Sequence, residues 1–253
     1  MLNRRTVFAA ASAAILANFA FAAPAQAWTW GFNEQVKASG ETVSESRDLG
    51  AFDAISLSGN YKVVVRQGPA VKLELKADKS FLPLIETRVV EGSKGRTLEI
   101  GNKKGYSFSS RNEPQITVVL PQLRAIAIAG SGDVRVEAMK TPAVNVSVSG
   151  SGDVDLLELS GDSLSVQVSG SGDIKARGRV GQFSLSVAGS GDVDARGLQA
   201  DEVKASIAGS GNATVHAVKT LKVSIAGSGD VAYLGSPVLS SSVAGYGAIT
   251  KLN

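Results

Sequence analysis

The tetrapeptide Gly-Ser-Gly-Asp starts at Gly130, Gly150, Gly170, Gly189 and Gly227. The variant Gly209-Ser210-Gly211-Asn212 fills the gap in that series, and a degenerate copy, Gly245-Tyr246-Gly247-Ala248, ends it. The start-to-start steps are 20, 20, 19, 20, 18 and 18 residues. A fixed interval of this size marks stacked structural repeats, in which each unit buries its apolar side only against its neighbours.

The flanks of each copy give the shape of one unit. Residues two, four and six before the first glycine are apolar: Val144, Val146 and Val148; Leu164, Val166 and Val168; Phe183, Leu185 and Val187; Leu221, Val223 and Ile225. The residue four after it is apolar as well, at Val134, Val154, Ile174, Val193, Val231 and Ile249. Alternation on both sides of a glycine-rich corner is strand chemistry. Segments such as Thr141-Pro142 and Gly161-Asp162 close the period. One period then equals one coil of a parallel β-helix, although two strands per period also fit an antiparallel meander. The row five residues after the glycine separates the two: Arg135, Asp155, Lys175, Asp194, Thr214, Ala232 and Thr250. Stacked in parallel register, these residues are neighbours ~4.8 Å apart. Their alternating signs then help by roughly 0.2–1 kcal/mol per pair. A meander would not set them side by side.

The corner has its own rationale. Glycine at 130, 150, 170, 189, 209 and 227 supplies positive φ and close backbone approach. The fourth residue, Asp133, Asp153, Asp173, Asp192, Asn212 or Asp230, accepts hydrogen bonds from turn amides. Asn212 does so without charge, so the oxygen acceptor is what the corner needs. A calcium ladder is the sharper alternative, since the corner echoes the loops of calcium-binding β-rolls. Those loops recur about every nine residues, so that two loops share each ion. Here the second loop is missing, and the hard oxygen ligands calcium requires are not evident.

Upstream, Ile55 and Leu57, then Tyr61, Val63 and Val65, then Val71, Leu73 and Leu75 alternate with polar residues. Further strands are expected near Thr87–Val90, Thr97–Ile100 and Gln115–Leu120, with a helical turn within Phe81–Ile85. Lys94, Arg96, Lys103, Lys104 and Arg111 form a basic cluster, which Glu91, Glu99 and Glu113 largely offset. It reads as a solvated hairpin tip.

Residues 1–27 read as an export signal: Arg4 and Arg5, an apolar run Val7–Ala23, then the small-x-small site Ala25-Gln26-Ala27. Asn3–Phe8 approximates the twin-arginine pattern. Cleavage would leave Trp28 first, in a flexible, polar lead-in, 28–46, whose Trp28, Trp30 and Phe32 could cap an open core or dock to a partner. Removing Arg4 and Arg5 from 26 basic residues leaves 24 against 23 acidic, a net charge of +1. Such a balance gives no support to a nucleic-acid partner. The absence of cysteine rules out disulfides, thiolate zinc sites and an acylated-cysteine anchor. The remaining chain divides into N-terminal strands, 47–122, and repeat coils, 123–253.

Arg47-Asp48-Leu49-x-x-Phe52-Asp53-x-Ile55-x-Leu57-Ser58-Gly59, then Pro121-x-Leu123-x-x-Ile126, then the serial Gly-Ser-Gly-Asp-Val copies, resemble the auto-transporter adhesin head domain, also called the head GIN domain. The resemblance covers about residues 46–250. It implies an all-β fold, a single-stranded right-handed parallel β-helix of the pectin-lyase-like kind with about 18–20 residues per coil. It also implies export to the envelope or surface and a role in adhesion, and it brings no catalytic or binding residues to carry over. Nothing after Gly245 could form a translocator barrel.

The search for chemistry returns little. His216 is the only histidine, on the expected outward row of Arg177 and Arg196. Asp155, Lys175, Asp194 and Arg177 could imitate a lyase site, but read better as a structural ion-pair ladder. No catalytic, metal or cofactor site is expected. The face before the corner is more informative. One outward row is Ala127, Ser147, Gln167, Ser186, Ser206, Ser224 and Ser242; the next is Ala129, Ser149, Ser169, Ala188, Ala208, Ala226 and Ala244. Seven coils make it about 29 Å long. A flat surface of small uncharged side chains suits packing against another sheet. Either residues 50–120 cover it, or it meets a second copy or a partner. The expected function is that of an exported, non-enzymatic scaffold for adhesion, whose partner is a protein or polysaccharide of the envelope or host surface. A polysaccharide-binding or lyase-like protein on the same fold is the alternative.

Overall fold

The computed structural model describes residues 34–92, 95–108 and 113–253. The expected signal peptide, Trp28, Trp30 and Phe32, and Lys94 and Arg111 lie outside them. The strands are β1 (Glu34–Val36), β2 (Thr42–Arg47), β3 (Ala54–Ser58), β4 (Lys62–Gln67), β5 (Lys72–Asp78), β6 (Ile85–Gly92), β7 (Gly95–Asn102), β8 (Tyr106–Phe108), β9 (Gln115–Leu120) and β10 (Ala125–Gly130). They continue with β11 (Asp133–Lys140), β12 (Ala143–Gly150), β13 (Val154–Gly170), β14 (Ile174–Gly189), β15 (Val193–Gly209), β16 (Ala213–Gly227), β17 (Val231–Leu234), β18 (Val238–Gly245) and β19 (Ile249–Lys251). A 3-10 turn, Leu82–Leu84, precedes β6. No helix among the described residues is long and apolar enough to cross a membrane. β1 and all of β2 but Arg47 fall within the stretch read as a flexible lead-in, but they are paired strands: β1 lies parallel to β8, and β2 antiparallel to β5.

The coils stack in parallel, as the charge row requires. Before the corner the order is β7, β3, β10, β12, the C-terminal halves of β13 to β16, then β18. After the corner it is β9, β4, β11, the N-terminal halves of β13 to β16, β17 and β19. Inward rows bury their valines, leucines and isoleucines almost completely: Val146, Val166, Leu185 and Ile225 are each 1 % exposed. Each such side chain is worth roughly 1.5–3 kcal/mol of burial.

Irregular repeat lengths are absorbed after the corner. Between β13 and β14, Leu156 pairs Ala176 and Leu159 pairs Gly178, so one residue is lost where the step falls from 20 to 19. Between β15 and β16 the register slips between Ala195 and Gln199, and again between Ala200 and Glu202, where the step falls to 18. The rows before the corner stay in register throughout.

Stack order departs from chain order at one place. The coil of β3 and β4 comes first in the chain, yet it lies between the β7/β9 coil and the β10/β11 coil. The chain leaves β4, builds the N-terminal end, and crosses back over through residues 121–124. The crossover is fixed by Arg124, whose guanidinium donates twice to Asp53, Nε to Oδ2 and Nη2 to Oδ1, each at 3.0 Å. The Arg124 amide also donates to the Asp53 carbonyl at 2.7 Å, and the Asp53 amide to the Arg96 carbonyl at 3.0 Å.

The N-terminal end is closed by antiparallel strands. β6 lies on β7, β5 on β9 and β2 on β5. Arg47 donates from Nη1 to the Ile85 carbonyl at 2.7 Å and to Thr87 Oγ1 at 2.9 Å, and from Nη2 to the Leu82 carbonyl at 3.1 Å. Phe81, fully buried, stacks on Phe108 with ring centroids 4.6 Å apart. Tyr61 donates its hydroxyl to Asn102, and burial pushes that hydroxyl's pKa well above the ordinary tyrosine value. Asp78 gathers the amides of Ser39, Gly40 and Ser80 and the hydroxyls of Ser39 and Ser80 at 2.6–3.0 Å.

Candidate interaction face

The two corner glycines answer different demands. Gly170 has φ +137°, and a Cβ there would lie 2.2 Å from the Gly150 carbonyl oxygen. Gly172 lacks the positive φ, but its Cβ would also lie 2.2 Å from the oxygen below, that of Gly152. That close approach allows the corner to continue the ladder between coils: the Ser171 amide donates to the Gly150 carbonyl at 2.9 Å, and Ser190 to Gly170 at 2.9 Å.

The fourth corner residue acts between coils, not within its own turn as the sequence suggests. Asp153 Oδ1 accepts the Asp173 amide at 2.8 Å, Asp173 Oδ1 the Asp192 amide at 3.0 Å, and Asp192 Oδ1 the Asn212 amide at 2.8 Å. Asn212 Oδ1 then accepts the Asp230 amide at 3.1 Å, and Asp230 Oδ1 the Ala248 amide at 2.7 Å. A side-chain ladder therefore runs beside the backbone ladder. Asn212 fits at both ends, donating its own Nδ2 to Asp192 at 3.1 Å. At the foot of the ladder, burial raises the Asp133 carboxyl above its ordinary range, with Asp153 adding repulsion. Among the described residues no group of three or more His, Cys, Asp or Glu is placed to hold a metal ion.

The charge row stands in the expected register, Arg135 opposite Asp155, Asp155 opposite Lys175, Lys175 opposite Asp194. It is only partly an ion-pair ladder. Arg135 reaches Asp155 at 3.6 Å, while Asp194 turns to Arg196 on its own strand at 2.7 Å. A shallow depression of about 480 Å³ lies here, lined by Lys62, Asp133, Arg135, Asp153, Asp155 and Lys175 among others. Two of its carboxylates, Asp153 and Asp173, are already engaged by the amides above. His216 is displaced from its expected row. The register slip sets it opposite Gln199 and Leu234, whereas Arg177 stands opposite Gly197.

The face before the corner is assembled as the rows require. Ser147, Gln167, Ser186, Ser206, Ser224 and Ser242 are successive register partners from β12 to β18. Ser206 is half-buried and the others are exposed. Ala127 and Ser56 extend the row downward. The described residues between 50 and 120 do not cover this face; β3 and β7 lengthen it instead. Two adjoining shallow depressions of about 530 and 400 Å³ mark its upper half. Lys204 and Lys222, register neighbours that line both, are its principal cations. Like charges set side by side repel, and no acid among the described residues pairs with either. The outward count one row further from the corner, Asn145, Ser165, Ser184, Lys204, Lys222 and Ser240, would have found them in the sequence.

A stack of parallel coils, covered at its N-terminal end and with one long face of small side chains, defines the molecule as a β-solenoid head domain. Residues 51–237 match the family described as "Putative auto-transporter adhesin, head GIN domain", and the chain belongs to that family. Among solved structures, one titled a putative adhesin from Bacteroides fragilis is similar at 27 % identity and a TM-score of 0.80, covering 87 % of this chain and 100 % of its own. One titled a putative lipid binding protein from Parabacteroides distasonis is similar at 28 % identity and a TM-score of 0.70, covering 87 % and 100 %. A putative adhesin from Parabacteroides merdae, at 21 % identity and a TM-score of 0.69 with 87 % and 99 % covered, shares the fold. No curated protein matches the chain.

Proposed function

We propose that the protein is a non-catalytic adhesion module of the cell envelope or surface, and that the face before the corner is its contact surface. The observation that carries this reading is the exposure of that face along the stack: Ser147, Gln167, Ser186, Ser224 and Ser242 stand uncovered by any described strand. Small side chains lose little rotamer freedom on binding. A flat partner, either a sheet edge-on to the coils or an extended polysaccharide, can approach the backbone closely. Lys204 and Lys222 favour a partner that carries acidic groups. Membership of an adhesin family and likeness to the Bacteroides fragilis structure support the same reading, and the export pattern in residues 1–27 accords with it. Nothing in the structure supports the lyase alternative.

The test is capture from intact envelopes, with purified protein as bait, compared with a variant carrying Ser186→Glu, Ser206→Glu and Ser224→Glu, whose carboxylates oppose an acidic partner. These positions project outward, so the melting temperature is expected to stay within a few degrees of wild type. Loss of the captured partner is the expected result. Equal capture by the variant overturns the assignment of the face.

A further inference from the structure

The two ends of the stack are built differently. At the N-terminal end the inward residues of the last coil, Leu98, Ile100, Ile116 and Val118, are at most 2 % exposed beneath their antiparallel cover. At the C-terminal end the equivalent row surfaces. Leu239 is 40 % and Val243 43 % exposed, where Leu221 and Ile225, their register partners one coil below, are at 0 % and 1 %. Val238 and Tyr246 are more exposed still, at 77 % and 94 %. β18 pairs only with β16, and β19 only with β17, so one edge of each strand is open among the described residues.

Open edges in monomeric proteins are blunted by charge, proline, bulges or shortness. The N-terminal edge strand β2, Thr42–Arg47, carries Glu45 and Arg47. β18 is eight residues long, unbroken, and reads VLSSSVAG; from Leu234 to Thr250 there is no charged residue at all. The strand is also nearly palindromic about Ser241. Ser240 answers Ser242, Leu239 answers Val243, and Val238 answers Ala244. A two-fold contact requires such self-complementarity.

We propose that two copies of this chain join end to end through β18, antiparallel and centred on Ser241. Leu239 of each copy then packs on the partner's Val243 over the open core, and Ser240 stands opposite the partner's Ser242. Tyr246 falls diagonal to the partner's Val238, within reach of an aromatic ring. No charge is buried, and the two most exposed apolar side chains are covered.

The test exploits the absence of cysteine. Across an antiparallel pair, opposed Cα atoms lie ~4.5–5.5 Å apart, within the ~4.4–6.8 Å a disulfide spans. Sedimentation at tens of micromolar is expected to give twice the mass of one chain for wild type, and the mass of one chain for Val243→Lys. Under mild oxidation Ser241→Cys is expected to form a covalent dimer, and Ser186→Cys, on the outward face, is expected not to. A single-chain mass for wild type overturns the proposal. So does a dimer in which Ser241→Cys cross-links no faster than Ser186→Cys, which also decides the matter if Val243→Lys fails to fold. Neither readout depends on the envelope partner, so failure here leaves the proposed function standing.

Discussion

At Gly170 two constraints coincide, a φ of +137° and a carbonyl oxygen 2.2 Å from where a Cβ would stand. The conformation alone would cost an L-residue roughly 1–3 kcal/mol, and the clash adds to it. Gly170→Ala is therefore expected to lower stability by more than ~2 kcal/mol in urea titration. Asp173 is a gentler case. Its Oδ1 holds the Asp192 amide at 3.0 Å, and an amide oxygen does the same, as Asn212 shows for Asp230. Asp173→Asn is expected to change stability by less than ~0.5 kcal/mol, and Asp173→Ala to cost about 0.5–1.5 kcal/mol. Equal losses for the two would mean that charge, not the acceptor, matters there.

At the scale of elements, the antiparallel cover over the N-terminal end depends on Asp78. Partial desolvation pushes this carboxyl up, but the hydrogen bonds from Ser80 and Ser39 outweigh it and hold it well below the usual carboxylate range. A folded-state pKa below the unfolded one gives stability that is present above the unfolded value, near 4, and is lost as pH falls through the folded value. Asp78→Asn is therefore expected to destabilise the protein at neutral pH and to weaken the acid dependence of its melting temperature below about pH 4. An unchanged acid limb would remove Asp78 from this role. The pairing that closes this end was hard to read in advance. β2 sits in a polar stretch whose partner, β5, is met only through the fold. Rows from β12 to β16 were legible because each residue's neighbour is its own counterpart one period on. The crossover at residues 121–124 was not, because it rests on Asp53 and Arg124, 71 positions apart. Asp53 is one of the residues that carry the family resemblance, while Arg124 falls at an unspecified position of the segment Pro121–Ile126. The corner aspartates were recognised as acceptors, but the donor was sought in the same turn, since a lone corner gives no hint of the coil above it. The open end was invisible for a similar reason: Leu239 and Val243 follow the same pattern as Leu221 and Ile225, and only the unpaired edge of β18 exposes them.

For the whole molecule, the order of the coils governs what a pulling force would meet. From β10 onward each coil touches only its neighbours, so tension applied at the C-terminus lifts β18 and β19 first and then one coil after another. Each release frees 18–20 residues, or roughly 60–70 Å of extended chain. The coil of β3 and β4 yields differently, since it is clasped on both sides by coils that come later in the chain. Single-molecule extension from the C-terminus is expected to show a run of evenly spaced small releases followed by one larger event for residues 42–120; a single all-or-none rupture would contradict this. Fixed by its N-terminal part, such a protein would lengthen under load in measured increments while its anchorage held, the behaviour of a shock absorber rather than of a brittle tether.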